Sequence, residues 1–217
     1  GLLLIFFTEK PWKFMYTAAI WTILLFLLPM AISSPQFVIQ SYIDWYQTLV
    51  HKNDLNQLSY NTNGMQDISA MGLFKRISGM YEVSNSFFLL PAFLITLLPL
   101  RRMKLLKNTT FQRHYFAQVL IGLVIFSSSS ESSTYIIAIA GFVLWIKEDF
   151  KNGPYLWILI LVTILTVLSP TDLIPPSIRK EIVIKFALKA FPMVCAWLWI
   201  SKNLIFDNYQ THELRRS

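Results

Sequence analysis

The residues able to do chemistry fall in two polar stretches and one basic one, separated by apolar chain. The most telling stretch is Phe126-Ser-Ser-Ser-Ser-Glu131-Ser-Ser-Thr-Tyr135, a serine-rich turn with a single carboxylate. It lies between apolar runs, 115–126 and 134–146, that fall short of the about 20 residues a membrane helix needs. If both runs are membrane helices, their junction lies below the lipid surface, and Glu131 lies with it. A polar group at that depth is costly unless it lines a cavity, which marks it as a functional candidate. The plain alternative is a hairpin whose serines simply extend both helices to water.

The basic stretch comprises Arg179, Lys180, Lys185 and Lys189, at the start of the last apolar run. Lys185 and Lys189 are four residues apart, so a helix would place both on one face. Lys189 then lies about two turns into the span. Such a pair could form a cationic slot for a lipid phosphate or diphosphate, or it could snorkel to the headgroups. The other polar stretch opens with the turn Asn61-Thr-Asn-Gly64. The residues that follow, 66–76, read as a short helix with Asp67 near its start and Lys75 and Arg76 near its end. That charge order suits the helix dipole, and the same residues could equally face a substrate.

Other chemistries find no support. His51, His114 and His212 are widely spaced, so no metal site is expected, and the seven glycines form no phosphate-binding loop. Cys195 is the single cysteine and cannot pair within the chain. No cofactor is expected.

The elements that would position these groups follow from composition. Of 217 residues, 54% are hydrophobic and 14% charged, with a mean hydropathy of +0.48. Soluble domains carry about a quarter charged residues, so an integral, multi-pass membrane protein is expected. Seven Trp and nine Tyr suit anchoring at bilayer interfaces. Apolar runs place six spans at about 14–32, 84–100, 113–127, 132–147, 154–169 and 183–201, all helical because lipid tolerates helices or closed barrels. The expected fold is an all-α polytopic bundle, one transmembrane domain over 1–217. Gly1–Phe7 reads as an apolar stub with no basic region before it, so the chain is expected to be the C-terminal piece of something longer.

Placing the turn at Glu9–Lys13 in the cytoplasm sends twelve Lys and Arg to that side and seven to the other. The serine-rich turn and the region 33–83 then lie outside. Within that region Val38, Tyr42, Trp45, Tyr46 and Leu49 recur at helical spacing opposite Gln40, Asp44 and Gln47. This reads as an amphipathic helix lying in the outer interface. The net charge of +7 is distributed by topology, so nucleic acid is not an expected partner.

The two polar stretches together resemble the C-terminal half of glycosyltransferase family 87, over roughly residues 59–145. Gln66, Asp67 and Ser69 match an Asn-Gln-Ser-like element ahead of a helix that ends in a basic residue. Ser127–Ser130, Glu131 and Tyr135 match a Ser-Pro-x-Ser element, although the proline is missing and an acid replaces the more usual Trp-Asp/His pattern. The resemblance implies a GT-C-class, mannosyltransferase-like enzyme, moving sugar from a polyprenyl-phosphate donor to a lipid or glycan acceptor on the outer face. Family distribution points to the bacterial inner membrane. The resemblance gives sugar contacts to Gln66, Asp67, Ser69, Ser129, Ser130, Glu131 and Tyr135. Lipid phosphate would then meet Lys75, Arg76, Arg179, Lys180, Lys185 and Lys189. In such enzymes the catalytic base lies in an early outer loop, so it is expected upstream of Gly1, and this chain alone is expected to show no transfer. A flippase or transporter component for lipid-linked sugars and a noncatalytic scaffold are the competing readings.

Overall fold

The computed structural model describes residues 10–58, 67–128, 130–149 and 154–207, together with residues 5, 8 and 209. The described residues are helices and turns, without strands. They fall into two compact units, Gly1–Leu55 and Asn56–Ser217.

The first unit holds α1 (Pro11–Leu27), tightened into a 3₁₀ turn at Leu28–Ala31, and all but the last residues of α2, which begins at Pro35 and runs to Leu58. Pro11 opens α1 at a position whose N–H needs no partner. Pro11–Ala31 is a 21-residue helix long and apolar enough to cross a membrane, and its residues are not buried within the protein. Phe26 stacks on Tyr42 at 4.8 Å between ring centroids, joining α1 to α2. The amphipathic segment expected at 37–50 is part of a longer helix of 24 residues.

The second unit is a bundle. Its elements are α3 (Ala70–Ser78), α4 (Ser86–Leu97), α5 (Thr109–Ile125), α6 (Tyr135–Asp149), α7 (Pro154–Leu161), the single turn α8 (Pro176–Ile178) and α9 (Phe191–Phe206). Wide π-type turns extend α7 over Val162–Leu168 and α8 over Arg179–Ile184. Against six expected full spans, one helix meets the length needed to cross a bilayer among the described residues. The other apolar helices, such as Ser86–Arg101 and Phe191–Phe206, have between 10 and 17 residues. The last helix also starts at Phe191 rather than near 183, because the chain takes a left-handed conformation at Ala187 (φ 51°) that an α-helix cannot contain.

α5 and α6 form an antiparallel hairpin around the serine-rich turn. They approach closely at Gly141, where a Cβ would lie 2.9 Å from the Ala117 carbonyl oxygen and 3.0 Å from the Leu120 Cβ. α9 packs on α5 in the same way. A Cβ on Gly122 would lie 3.0 Å from Trp197 Nε1, and Phe126 meets Trp197 edge-on at 5.0 Å. The Gln118 amide donates to Ser201 Oγ at 2.8 Å, a buried polar pair within this seam.

The two ends of the bundle are held differently. At one, the Arg102 guanidinium donates to the carbonyls of Leu204 (2.9 Å) and Asp207 (2.8 Å), satisfying the last turn of α9. The opposite end carries the serine-rich turn, with α3 packed beside it. Replacing Gly141 by Val should lower stability by about 1–3 kcal/mol, because the added methyls drive α5 from α6. Thermal unfolding of the detergent-solubilised protein checks this, with Val143→Ala on the exposed face of α6 as the neutral comparison.

Candidate functional site

The site forms where three distant pieces of sequence meet. The first is the strand-like entry to α3. Ser69 is its N-cap and accepts from the Gly72 N–H at 3.0 Å. Gly79 closes the helix in the left-handed conformation (φ 73°), its N–H donating to the Lys75 carbonyl. Asp67 lies ahead of the cap and outside the helix, fully buried and itself left-handed (φ 66°). A dipole-stabilising role at the helix start is therefore replaced by a buried one. Gly72 is required by this packing, since a Cβ there would collide with the Asp67 carbonyl oxygen and lie 3.2 Å from its Cγ.

The second piece is the serine-rich turn. Its backbone meets the first piece directly: the Ile68 N–H donates to the Ser130 carbonyl at 2.9 Å. The Tyr135 hydroxyl donates to the Ile68 carbonyl at 2.7 Å. Both polar groups of one backbone residue are thus tied to the turn. Ser130 is buried, and its hydroxyl donates to the Val124 carbonyl. Thr134 Oγ1 donates to the Glu131 carbonyl at 2.8 Å, and its oxygen receives the Glu131 N–H at 3.2 Å.

The third piece is residues 169–190, between α7 and α9. Lys189 is 5% exposed. Its ammonium donates to Ser132 Oγ at 2.6 Å and to the Ser132 carbonyl at 3.2 Å. It also sits 5.0 Å from the centroid of the Tyr135 ring. The Arg76 guanidinium donates to the Ile184 carbonyl at 2.7 Å, joining α3 to the π-type turn.

These pieces enclose a cavity of about 490 Å³. Glu131, Ser132 and Ser169 line it, and Arg76, Arg179, Lys180 and Lys189 contribute its cations. Ile68, Pro170, Val183, Ile184 and Ala187 supply its apolar wall. Glu131 stands exposed at this wall, as does Lys180. Arg179 pairs with Asp172 at 3.8 Å, and since Asp172 is fully exposed that pair is screened by water. A polar, cationic rim over an apolar wall is the pattern of a pocket for an amphiphile with an anionic head.

Several expected site residues lie elsewhere. Lys75 is buried and donates to Asn85 Oδ1 at 2.8 Å, away from the cavity lining. Burial pushes its ammonium below the ordinary lysine value, with the Asp67 charge opposing that shift. Lys185 is exposed, 5.5 Å from the ring of its neighbour Phe186, and does not line the cavity. The helical spacing that would align it with Lys189 fails because the backbone turns at Ala187. Asp67, Ser69, Ser130 and Tyr135 support the cavity from behind rather than lining it. Gln66 and Ser129 lie outside the described residues.

Ser132, Ser169 and Pro170 are site residues the sequence reading passed over. The signal for the last two was the Ser-Pro-Thr-Asp turn between two apolar runs, polar chain at the same end of the bundle as Glu131. Comparison with protein-family models, with curated proteins and with solved structures returns no match.

Tyr135→Phe should cost about 1–3 kcal/mol, since it strips the Ile68 carbonyl of its hydroxyl partner while conserving ring and shape. Ala187→Gly should be neutral or stabilising by up to about 1 kcal/mol, because glycine adopts positive φ without strain. Ala187→Val should do the opposite. Thermal unfolding of the three variants tests both statements.

Proposed function

We propose that this chain forms the donor-lipid and acceptor half of a multi-pass membrane glycosyltransferase of the GT-C class, similar to family 87. It moves a sugar, with mannose the first candidate, from a polyprenyl-phosphate carrier to a lipid or glycan acceptor. The work is done on the outer face of a membrane, the bacterial inner membrane in the first instance. In this reading the shorter apolar helices cross the bilayer together with Pro11–Ala31, and the cavity opens towards the outer leaflet.

The observation that carries this reading is the shared cavity. Three distant pieces of sequence meet there, and together they bring a carboxylate and several cations to one apolar hollow. An isoprenoid chain suits the wall of Ile68, Val183 and Ile184, whose apolar side chains can meet its carbons in van der Waals contact. The phosphate suits Arg179 and Lys180, which can offer charge-assisted hydrogen bonds. Sugar hydroxyls suit Glu131, Ser132 and Ser169, because a carboxylate accepts from hydroxyl donors and a serine can both give and take. Arg76 gives one nitrogen to Ile184 and so holds the cationic wall in place.

The full chain in lipid nanodiscs, titrated with undecaprenyl phosphate and with undecaprenol, tests the proposal. The phosphate form should bind at least tenfold more tightly, a difference of about 1.4 kcal/mol. Replacing Arg179 and Lys180 together by Met should remove that preference and leave undecaprenol binding unchanged. Equal affinity for the two lipids in the unaltered protein would sink the reading.

A further inference from the structure

The family resemblance gives Lys189 to a lipid phosphate, but its ammonium group is already engaged. An ammonium has three donor hydrogens and no acceptor. Two contacts go to Ser132, through Oγ at 2.6 Å and the carbonyl at 3.2 Å, and the remaining side faces the Tyr135 ring at 5.0 Å. All three partners belong to the serine-rich turn. Their neutrality matters: a carbonyl, a hydroxyl and an aromatic face solvate a buried cation without cancelling its charge. The lysine is held in turn, because the Thr166 hydroxyl donates to its carbonyl at 3.1 Å. The connection also extends forwards, since Tyr135 donates to Ile68 and Ile68 to Ser130.

We infer that Lys189 is a positioning residue. Its ammonium fixes the turn at residues 130–135 against the cavity wall, so that Glu131 and Ser132 face the hollow, while Arg179 and Lys180 meet an anionic ligand. The positional claim stands on contacts within the chain, and only the ligand half rests on the proposed function. It reassigns one lysine from binding to architecture. It also separates two kinds of cation in one cavity, one engaged by the turn and the others at the rim.

Hydrogen–deuterium exchange of the full, detergent-solubilised chain reads the position of the turn directly. Lys189→Met should speed exchange by about tenfold in peptides covering residues 67–69 and 130–137, whose amides depend on the turn. Exchange in α5 between residues 111 and 125 should stay unchanged, which separates local release from general unfolding. Lys189→Arg should restore most of the protection, and Arg179→Met should leave it as it is. If Lys189→Met does not fold, Ser132→Ala removes the shorter of the two bonds and should produce a smaller effect in the same peptides.

Undecaprenyl phosphate binding to the same variants forms the second arm. Arg179→Met should weaken it more than Lys189→Met does. Unchanged exchange in Lys189→Met would overturn the inference, and so would loss of binding in that variant with the turn still protected. Failure of the unaltered protein to bind the lipid would end the proposed function while leaving the exchange result to decide the role of Lys189.

Discussion

The backbone of Ile68 gives its N–H to the Ser130 carbonyl and takes the Tyr135 hydroxyl on its own carbonyl. Backbone polar groups that leave water must find partners, and a loop outside any helix has none of its own. Here the partners come from a turn more than sixty residues later, which fixes α3 to the α5–α6 hairpin. Asp67 can then be buried beside it, and Gly72 is needed because the Asp67 carbonyl comes so close. Arg76 is carried along on α3 and reaches the Ile184 carbonyl. Without the bonds at Ile68, the wall that brings Arg76 and Glu131 to one cavity loses its anchor.

Much of the helical framework was legible in the sequence because the apolar runs are strong. The runs at 14–32, 84–100 and 113–127 correspond to α1, α4 and α5 within a few residues at their ends. Gly122 and Gly141 show why close packing is harder to read: a glycine in a helix is informative only once its neighbour is known. The last run was misjudged because Ala187, an ordinary helix former, adopts a left-handed conformation. That single dihedral separates Lys185 from Lys189, which a helical spacing would have paired.

The candidate site was legible in part for a different reason. Glu131 and the cations at 179, 180 and 189 stood out as polar groups in apolar surroundings, and they do line one cavity. Residue type says nothing, however, about which polar atoms are already committed. Lys75 and Lys189 carry the same charge as Lys180, but one is bonded to Asn85 and the other to Ser132. Ile68 was invisible as an anchor because its bonds to Ser130 and Tyr135 are made by backbone atoms, which every residue has.

The π-type turns at Val162–Leu168 and Arg179–Ile184 flank the wall that Ser169 and Pro170 supply. A backbone wound this loosely accommodates more residues per turn than the 3.6 of an α-helix. Each such stretch therefore acts as a phase adjuster, setting the compass bearing of the side chains along it up to the turn that ends it. Shortening either by one residue would swing the side chains that follow within it by somewhat less than the about 100° per residue of an α-helix. In evolutionary terms, this lets an insertion within the second stretch re-aim Arg179 against Ile184 in one step, leaving the hairpin of α5 and α6 as it is.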